Sequence, residues 1–221
     1  MSRIPIVPAV IPNSEAEVVT MTKTLAFSHE FHLDLVDGQF VPATCWPFEP
    51  LGEAVAVKPH TDKYTLEVDL MVANPIKAAK EWIKAGADML VFHIESVDLA
   101  SFVDFVQHTD TPVTVGVSFH GETPVEALLP YAVHADYVQI MAIHTIGSQG
   151  QPFDERTFDK IKKIRSEFPQ LPISVDGSVN KETIARLVRA GVDRLIVGSA
   201  IVKQGNPAEA YEELCALVNE A

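Results

Sequence analysis

The sequence predicts an α/β fold, a single-domain (β/α)8 TIM barrel over residues 1–221, and three observations lead there. Eight short apolar segments alternate with helical patterns. That rhythm builds a parallel sheet, because parallel neighbours need a crossover of about a dozen residues or more. The 221 residues spread over eight units leave about 28 each, room for one strand, one helix and two turns. No G-x-G-x-x-G turn follows the first segment, so the fingerprint of an open, doubly wound sheet is missing. No linker, low-complexity stretch or shift in composition divides the chain.

Taken in order, the first strand is expected over residues 4–10. Asn13-Ser14 then caps a helix reaching about Ala26, with Glu15 and Glu17 in its first turn, where carboxylates meet free N–H groups. The second strand covers 31–36 and the third 64–71. Asn74-Pro75 opens the next helix, and Gly86 closes it. Strands follow at 89–94 and 112–119, with a helix opened by Thr123-Pro124. The sixth strand, 137–141, precedes a helix starting at Phe153-Asp154. The seventh and eighth strands fall at 173–175 and 195–197. Between them a helix runs from Asn180-Lys181-Glu182 to Gly191, and Pro207 begins the last helix.

Composition narrows the function classes. A hydrophobic share of 47% supplies one large core, and no apolar run reaches the roughly 18 residues that span a bilayer. Met1-Ser2-Arg3-Ile4-Pro5 carries no signal-peptide pattern. Cys45 and Cys215 are the two cysteines, without a C-x-x-C partner, and fit structural thiols in a reduced, cytoplasmic compartment. The net charge of −13 disfavours nucleic acid and anionic membranes as partners, while leaving room for an anionic small substrate.

The chemistry lies where strands end, since barrels build their sites there. His32 and Asp34, two residues apart in an otherwise apolar strand, share one face. Glu67-Val68-Asp69 and Ser174-Val175-Asp176 repeat the pattern, and His93 and Glu95 hold corresponding places on the fourth strand. An unpaired buried carboxylate is costly, and no Lys or Arg ends any of the first seven strands. A bound divalent metal on His32, Asp34, Asp69 and Asp176 resolves this, the oxygen-rich set suiting Mn²⁺, Mg²⁺, Fe²⁺ or Zn²⁺. The alternative is that each acid caps a helix or bonds loop amides. Glycines cluster on the last loops: Gly147 and Gly150 after the sixth strand, Gly177 with Ser178 after the seventh, Gly198 with Ser199 after the eighth. Their backbone N–H groups can cradle a phosphate. Carboxylates with a metal on one side and amides on the other describe a pocket for a phosphorylated sugar.

These motifs resemble those of the ribulose-phosphate 3-epimerase family over essentially the whole chain. His32-Leu-Asp-Leu-Val-Asp-Gly-Gln-Phe-Val-Pro42 is similar to its H-x-D-x-M-D-G-H-F-V-P signature, and Leu70-Met-Val-Ala-Asn-Pro75 to its L-M-V-x-x-P run. Phe92-His-Ile-Glu95, Val175-Asp-Gly-Ser-Val-Asn180 and Gly198-Ser-Ala-Ile201 match in order and spacing. The resemblance implies a barrel of the ribulose-phosphate-binding type, one divalent metal, and Asp34 and Asp176 as proton-transfer residues on opposite faces of D-ribulose 5-phosphate. It also implies that Gly147, Gly150, Gly177, Ser178, Gly198 and Ser199 hold the phosphate through amides and a hydroxyl. Ala9, Met71 and Met141 then line the sugar site, and a homo-oligomer is expected by analogy.

The chain departs from the family pattern around this pocket. Asp69 stands where the family carries a metal-ligand His, Ala9 where it has Ser, and Val36 and Gln39 replace Met and His. Thr145-Ile-Gly-Ser-Gln-Gly-Gln151 replaces the P-G-F-G-G-Q loop, and Ser174 stands where an acid is often found. Three readings therefore compete: an active epimerase, a non-catalytic sugar-phosphate-binding relative with Asp69 paired elsewhere, and a lyase or decarboxylase on the same barrel. The third lacks its expected lysine on the third strand, which reads Glu67-Val-Asp-Leu-Met-Val72. His120 and His144 on strand-end loops read as solvated residues or substrate contacts. Trp46 and Phe48 read as a pocket cover or a subunit contact, and Glu209, Glu212 and Glu213 as a solvated face.

Overall fold

The computed structural model describes residues 4–221; Met1, Ser2 and Arg3 lie outside it, and with them part of the segment read as lacking a signal peptide. Eight parallel strands close into one barrel in sequence order. They are β1 (Ile6–Val10), β2 (Glu30–Val36), β3 (Thr65–Met71), β4 (Met89–His93), β5 (Thr114–Phe119), β6 (Tyr137–Met141), β7 (Ile173–Asp176) and β8 (Arg194–Val197). Closure comes from β1 pairing with β8 through Ile6–Leu195, Val7–Ile196 and Pro8–Val197. Two strands start later than their apolar runs suggest: β1 at Ile6, after Pro5, and β5 at Thr114, after Pro112. Proline has no N–H to give to a ladder.

The surrounding helices are α1 (Glu15–Thr24), α2 (Lys58–Thr61), α3 (Pro75–Lys84), α4 (Leu99–His108), α5 (Val125–Ala132), α6 (Thr157–Glu167), α7 (Ile184–Arg189), α8 (Ser199–Val202) and α9 (Pro207–Glu220). Capping follows the expected chemistry: Ser14 Oγ accepts from Glu17 N at 3.1 Å, and Asn74 Oδ1 from Lys77 N at 3.2 Å. The second unit holds only a 3-10 turn, Ala54–Val57, and the one-turn α2. α4 is capped by Asp98, a start signal that the sequence reading leaves unused. α6 and α7 begin three or four residues after their expected openings. Asn180 Oδ1 accepts from Glu182 N at 2.9 Å and so organises a turn ahead of α7.

A repeated device fixes the N-terminal end of the barrel. Asp88, Asp136 and Asp193, each directly before a strand, accept from the N–H of Leu66, Val115 and Ile173 at 2.7–2.8 Å. The main core lies between strands and helices, and Trp46 belongs to it, buried edge-on against Trp82 at 6.2 Å. Phe48 packs partly buried against the same core. The expectation that Trp46 covers the pocket or a second subunit is therefore corrected: a large apolar ring goes where apolar contacts are densest. Inside the barrel Val7, Ala9 and Ile196 form a separate small cluster. The buried polar side chains of the strands include His32, Asp34, Glu67, Asp69, His93, Ser118, Gln139, Ser174 and Asp176. Glu209, Glu212 and Glu213 are exposed on α9, as expected of a solvated face.

Candidate active site

The barrel ladder sets the first pairings. His32 lies opposite Glu67, and Asp34 opposite Asp69, in the β2–β3 register. His32 and Asp34 do share a face: His32 Nε2 is 3.3 Å from Asp34 Oδ1. The other ring nitrogen, Nδ1, donates to Glu67 Oε2 at 2.6 Å. Glu67 also accepts from the Tyr137 hydroxyl at 2.5 Å and from Arg194 Nη1 at 2.6 Å. Gly116 makes this possible, since a Cβ there would collide with the Tyr137 ring. Arg194 extends on to Glu30 Oε2 at 2.6 Å. Burial works against the Glu67 carboxylate, but Arg194 and His32 outweigh it and hold its pKa near about 2. Glu67 is thus an ionised group that fixes the ring of His32, a role missed by reading it only as a repeat of the acid pattern. Its i, i+2 spacing from Asp69, set against His32–Asp34 on the neighbouring strand, was the signal available.

Above this network sit Asp34, Asp69 and Asp176, all buried. One potential ligand atom from each of these and from His32 lies within 4.8 Å of the others. Among the described residues the ion pairs of these acids involve only His32 and His93, with no Lys or Arg. Burial raises the Asp34 pKa, with His32 opposing it, and raises that of Asp176 well above the usual carboxylate range, helped by the charge of Asp34. For His32, burial favours the neutral ring, but Glu67 and Asp34 prevail and its pKa rises. Three crowded buried carboxylates, a ring nitrogen turned towards them and no cationic side chain fit a divalent cation. Asp69 has further partners: Oδ1 receives His93 Nε2 at 2.9 Å, and Oδ2 receives Gln139 Nε2 at 2.9 Å.

The glycine-rich loops and the acids meet at one cavity of about 210 Å³. Its walls include Gly147, Gly150, Gly177, Ser178, Gly198 and Ser199, together with Asp34 and Asp176. Ala9, Met71 and Met141 line it as well, whereas His32 and Asp69 lie behind the wall, fully buried. Among the described residues no Lys or Arg lines the cavity, so an anion there would meet neutral donors: backbone amides and side chains such as those of Gln149, Asn180 and Ser199. Gly177 is required twice over: its φ is +98°, and a Cβ would lie 2.9 Å from Ile143. The hydroxyl of Ser178 donates to the Gln151 carbonyl. That bond ties the β7 loop to the β6 loop and leaves the Ser178 backbone amide and the Ser199 hydroxyl as the groups this pair of serines can offer a phosphate. Gln149, unremarked in the sequence, crosses the cavity with Nε2 3.3 Å from the Ala9 carbonyl.

The remaining polar groups sort clearly. His144 is exposed and pairs with Glu122 at 3.1 Å, a surface contact. His120 is half-buried, with its ring 6.0 Å from that of His93. Cys45 and Cys215 are free and buried, and burial pushes the Cys45 thiol up to about 12, which leaves it inert. Among the described residues no helix is long and apolar enough to cross a membrane.

Comparison with known proteins gives a consistent answer. The profile of the Ribulose-phosphate 3 epimerase family matches residues 5–202. The chain is 32% identical to the cytoplasmic isoform of ribulose-phosphate 3-epimerase of Oryza sativa subsp. japonica, covering 83% of this chain and 79% of that one. It is 32% identical to ribulose-phosphate 3-epimerase of Bacillus subtilis (83% and 84% covered) and 30% identical to that of Schizosaccharomyces pombe (91% and 86%). Among solved structures, KGPDC from Streptococcus mutans in complex with D-R5P superposes with a TM-score of 0.75 at 14% identity, covering 97% of both chains. A 3-hexulose-6-phosphate synthase superposes with a TM-score of 0.72 at 20% identity, covering 96% and 98%. At such identities these structures attest the barrel alone. The profile and the curated relatives go further: the chain belongs to the ribulose-phosphate 3-epimerase family, a family of isomerases.

Proposed function

We propose that this chain is a metal-dependent epimerase that inverts C3 of a ketose phosphate, converting D-ribulose 5-phosphate to D-xylulose 5-phosphate. The observation that carries the reading is the Asp34–Asp176 pair. Both acids line the cavity walled by the glycine-rich loops, and both are pushed towards their protonated forms. In the metal-free cavity two interacting buried carboxyls do not ionise together readily, so the pair favours one protonated and one ionised member.

That difference is what a two-acid epimerisation requires. One carboxylate takes the proton from C3, next to the C2 carbonyl, and the electron pair moves into the carbonyl to give an enediolate. The other carboxylic acid returns a proton to the opposite face of C3. The amides of Gly147, Gly150, Gly177, Ser178, Gly198 and Ser199 hold the phosphate, fixing C3 between the two acids. Met71 and Met141 exclude water from the sugar, and Glu67 keeps the His32 ring oriented. A divalent cation held by His32, Asp34, Asp69 and Asp176 would supply positive charge for the developing enediolate.

One observation favours a second reading, a sugar-phosphate-binding relative without turnover: both Asp69 oxygens already accept hydrogen bonds, from His93 and Gln139. A carboxylate oxygen has more than one lone pair, so these bonds leave ligation open. A conversion assay separates the readings. Chelated protein is supplied with Mn²⁺, Mg²⁺, Fe²⁺ or Zn²⁺ and D-ribulose 5-phosphate, and D-xylulose 5-phosphate is measured. Conversion that one of these ions restores is expected. Saturable binding of the sugar phosphate with no product under any ion would favour the binding relative.

A further inference from the structure

We propose a second cation site at the mouth of the barrel, in which His93, Glu95 and His120 bind a divalent transition metal of the Zn²⁺ or Co²⁺ type. The proposal is independent of the epimerase reading. One potential ligand atom from each of these residues lies within 4.8 Å of the others, and none belongs to the four-residue cluster around Asp34. His93 ends β4, and His120 directly follows β5, its neighbour in the barrel, so the fold itself brings the two rings to one edge.

The state of each ring points to a ligand. His93 is fully buried, with Nε2 bonded to Asp69 Oδ1 at 2.9 Å. In the neutral ring that bond places the proton on Nε2 and leaves a lone pair on Nδ1. Nδ1 is buried and has no hydrogen-bond partner among the described residues. Nε2 of His120 is in the same condition. Buried polar atoms are nearly always paired, and leaving one unpaired costs about 1–3 kcal/mol. A cation bound in this three-residue cluster would give such unpartnered nitrogens a partner.

The surroundings hold the three groups in place. Phe40 packs against both rings, 5.6 Å from His93 and 5.1 Å from His120. Oε1 of Glu95 accepts from the His120 backbone N–H at 2.8 Å and from the Thr123 hydroxyl at 2.5 Å, which orients the carboxylate. Two imidazoles and one carboxylate suit Zn²⁺ or Co²⁺ better than Mg²⁺ or Ca²⁺, and three protein ligands leave a position open. Asp69 supplies the remaining part, a carboxylate on the far nitrogen of a ligating histidine. It thereby joins the two clusters, standing in the first and backing the second.

The test is Co²⁺ binding to chelated protein, read as stoichiometry and as visible absorption. A variant carrying Asp34→Asn and Asp176→Asn, which disables the first cluster, is expected to keep one equivalent of Co²⁺. Adding His120→Asn or Glu95→Gln should remove that equivalent or weaken it more than ~10-fold. In the otherwise unaltered chain, either substitution should lower the stoichiometry by one. The proposal is overturned if the Asp34→Asn, Asp176→Asn protein binds no Co²⁺, or if stoichiometry and absorption ignore both His120→Asn and Glu95→Gln. Glu95 is exposed, so Glu95→Gln alone decides the matter if His120→Asn fails to fold.

Discussion

Glu67 and Asp69 lie two residues apart on β3, and both are fully buried, yet their surroundings differ in kind. Glu67 meets an arginine, a phenol and an imidazole within 2.6 Å, and the chain itself offsets the cost of burying its charge. Asp69 meets an imidazole and an amide, and its neighbours Asp34 and Asp176 have no Lys or Arg among the described residues. The lower acid is scaffold, satisfied before any ligand arrives. The upper acids remain unbalanced, and an unbalanced buried charge is what binds a cation or moves a proton. Burial of an acid therefore says little by itself; the location of the compensating charge distinguishes scaffold from site.

The contrast can be broken experimentally, beginning where the effect is largest. Asp176→Asn should reduce epimerisation about 10²–10⁴-fold, the usual reach of one acid–base group, as measured by product formation. Its metal-free melting temperature should hold or rise, because two crowded acids become one. Arg194→Met should do the reverse. It strands Glu67 and Glu30, costs about 3–5 kcal/mol and lowers the melting temperature by roughly 10 °C.

The two regions also carry opposite pH signatures in the metal-free protein. The Glu67 pKa falls from an ordinary 4.5 to about 2 on folding. Its contribution is therefore present above pH 4.5 and lost as pH falls towards 2. Asp34 and Asp176 are raised, so the stability linked to their protons is present at low pH and lost as pH rises through their folded values. Denaturant melts across pH should show Glu67→Gln flattening the acid limb, and Asp34→Asn with Asp176→Asn flattening the limb above it.

Two smaller changes sharpen the picture. Gly177→Ala forces a side chain into a φ of +98° against Ile143, which should cost about 1–3 kcal/mol and weaken inorganic phosphate binding. Asp69→His gives the upper cluster a second imidazole and should shift its preference from Mn²⁺ towards Zn²⁺ by about tenfold, read by competitive titration.

Much of this was legible in the chain. Strand number and order follow from the repeated strand–helix alternation, and the shared face of His32 and Asp34 from the two-residue period of a regular strand. Gly147, Gly150 and Gly177 were legible as turn residues, since few other residues adopt their positive φ. Arg194 was not: it lies 127 residues from Glu67, at the start of β8, and no local pattern reports who meets across a barrel interior. Sequence alone gives His120 and His144 the same standing as loop histidines, although strand order sets His120 beside His93. Trp46 was misplaced because a long loop gives no hint of which way it folds. The bond from the Ser178 hydroxyl to the Gln151 carbonyl was equally invisible, since a backbone acceptor in another loop leaves no mark in sequence.

The most direct measurement is deuterium incorporation at C3 of D-ribulose 5-phosphate in deuterated water, with a divalent ion present. The unaltered chain should exchange that proton, and chelation or the combined Asp34→Asn, Asp176→Asn substitution should abolish exchange. Exchange that survives the loss of both acids, or no exchange under any ion although the sugar phosphate binds, would contradict the assignment of these acids as the proton-transfer pair.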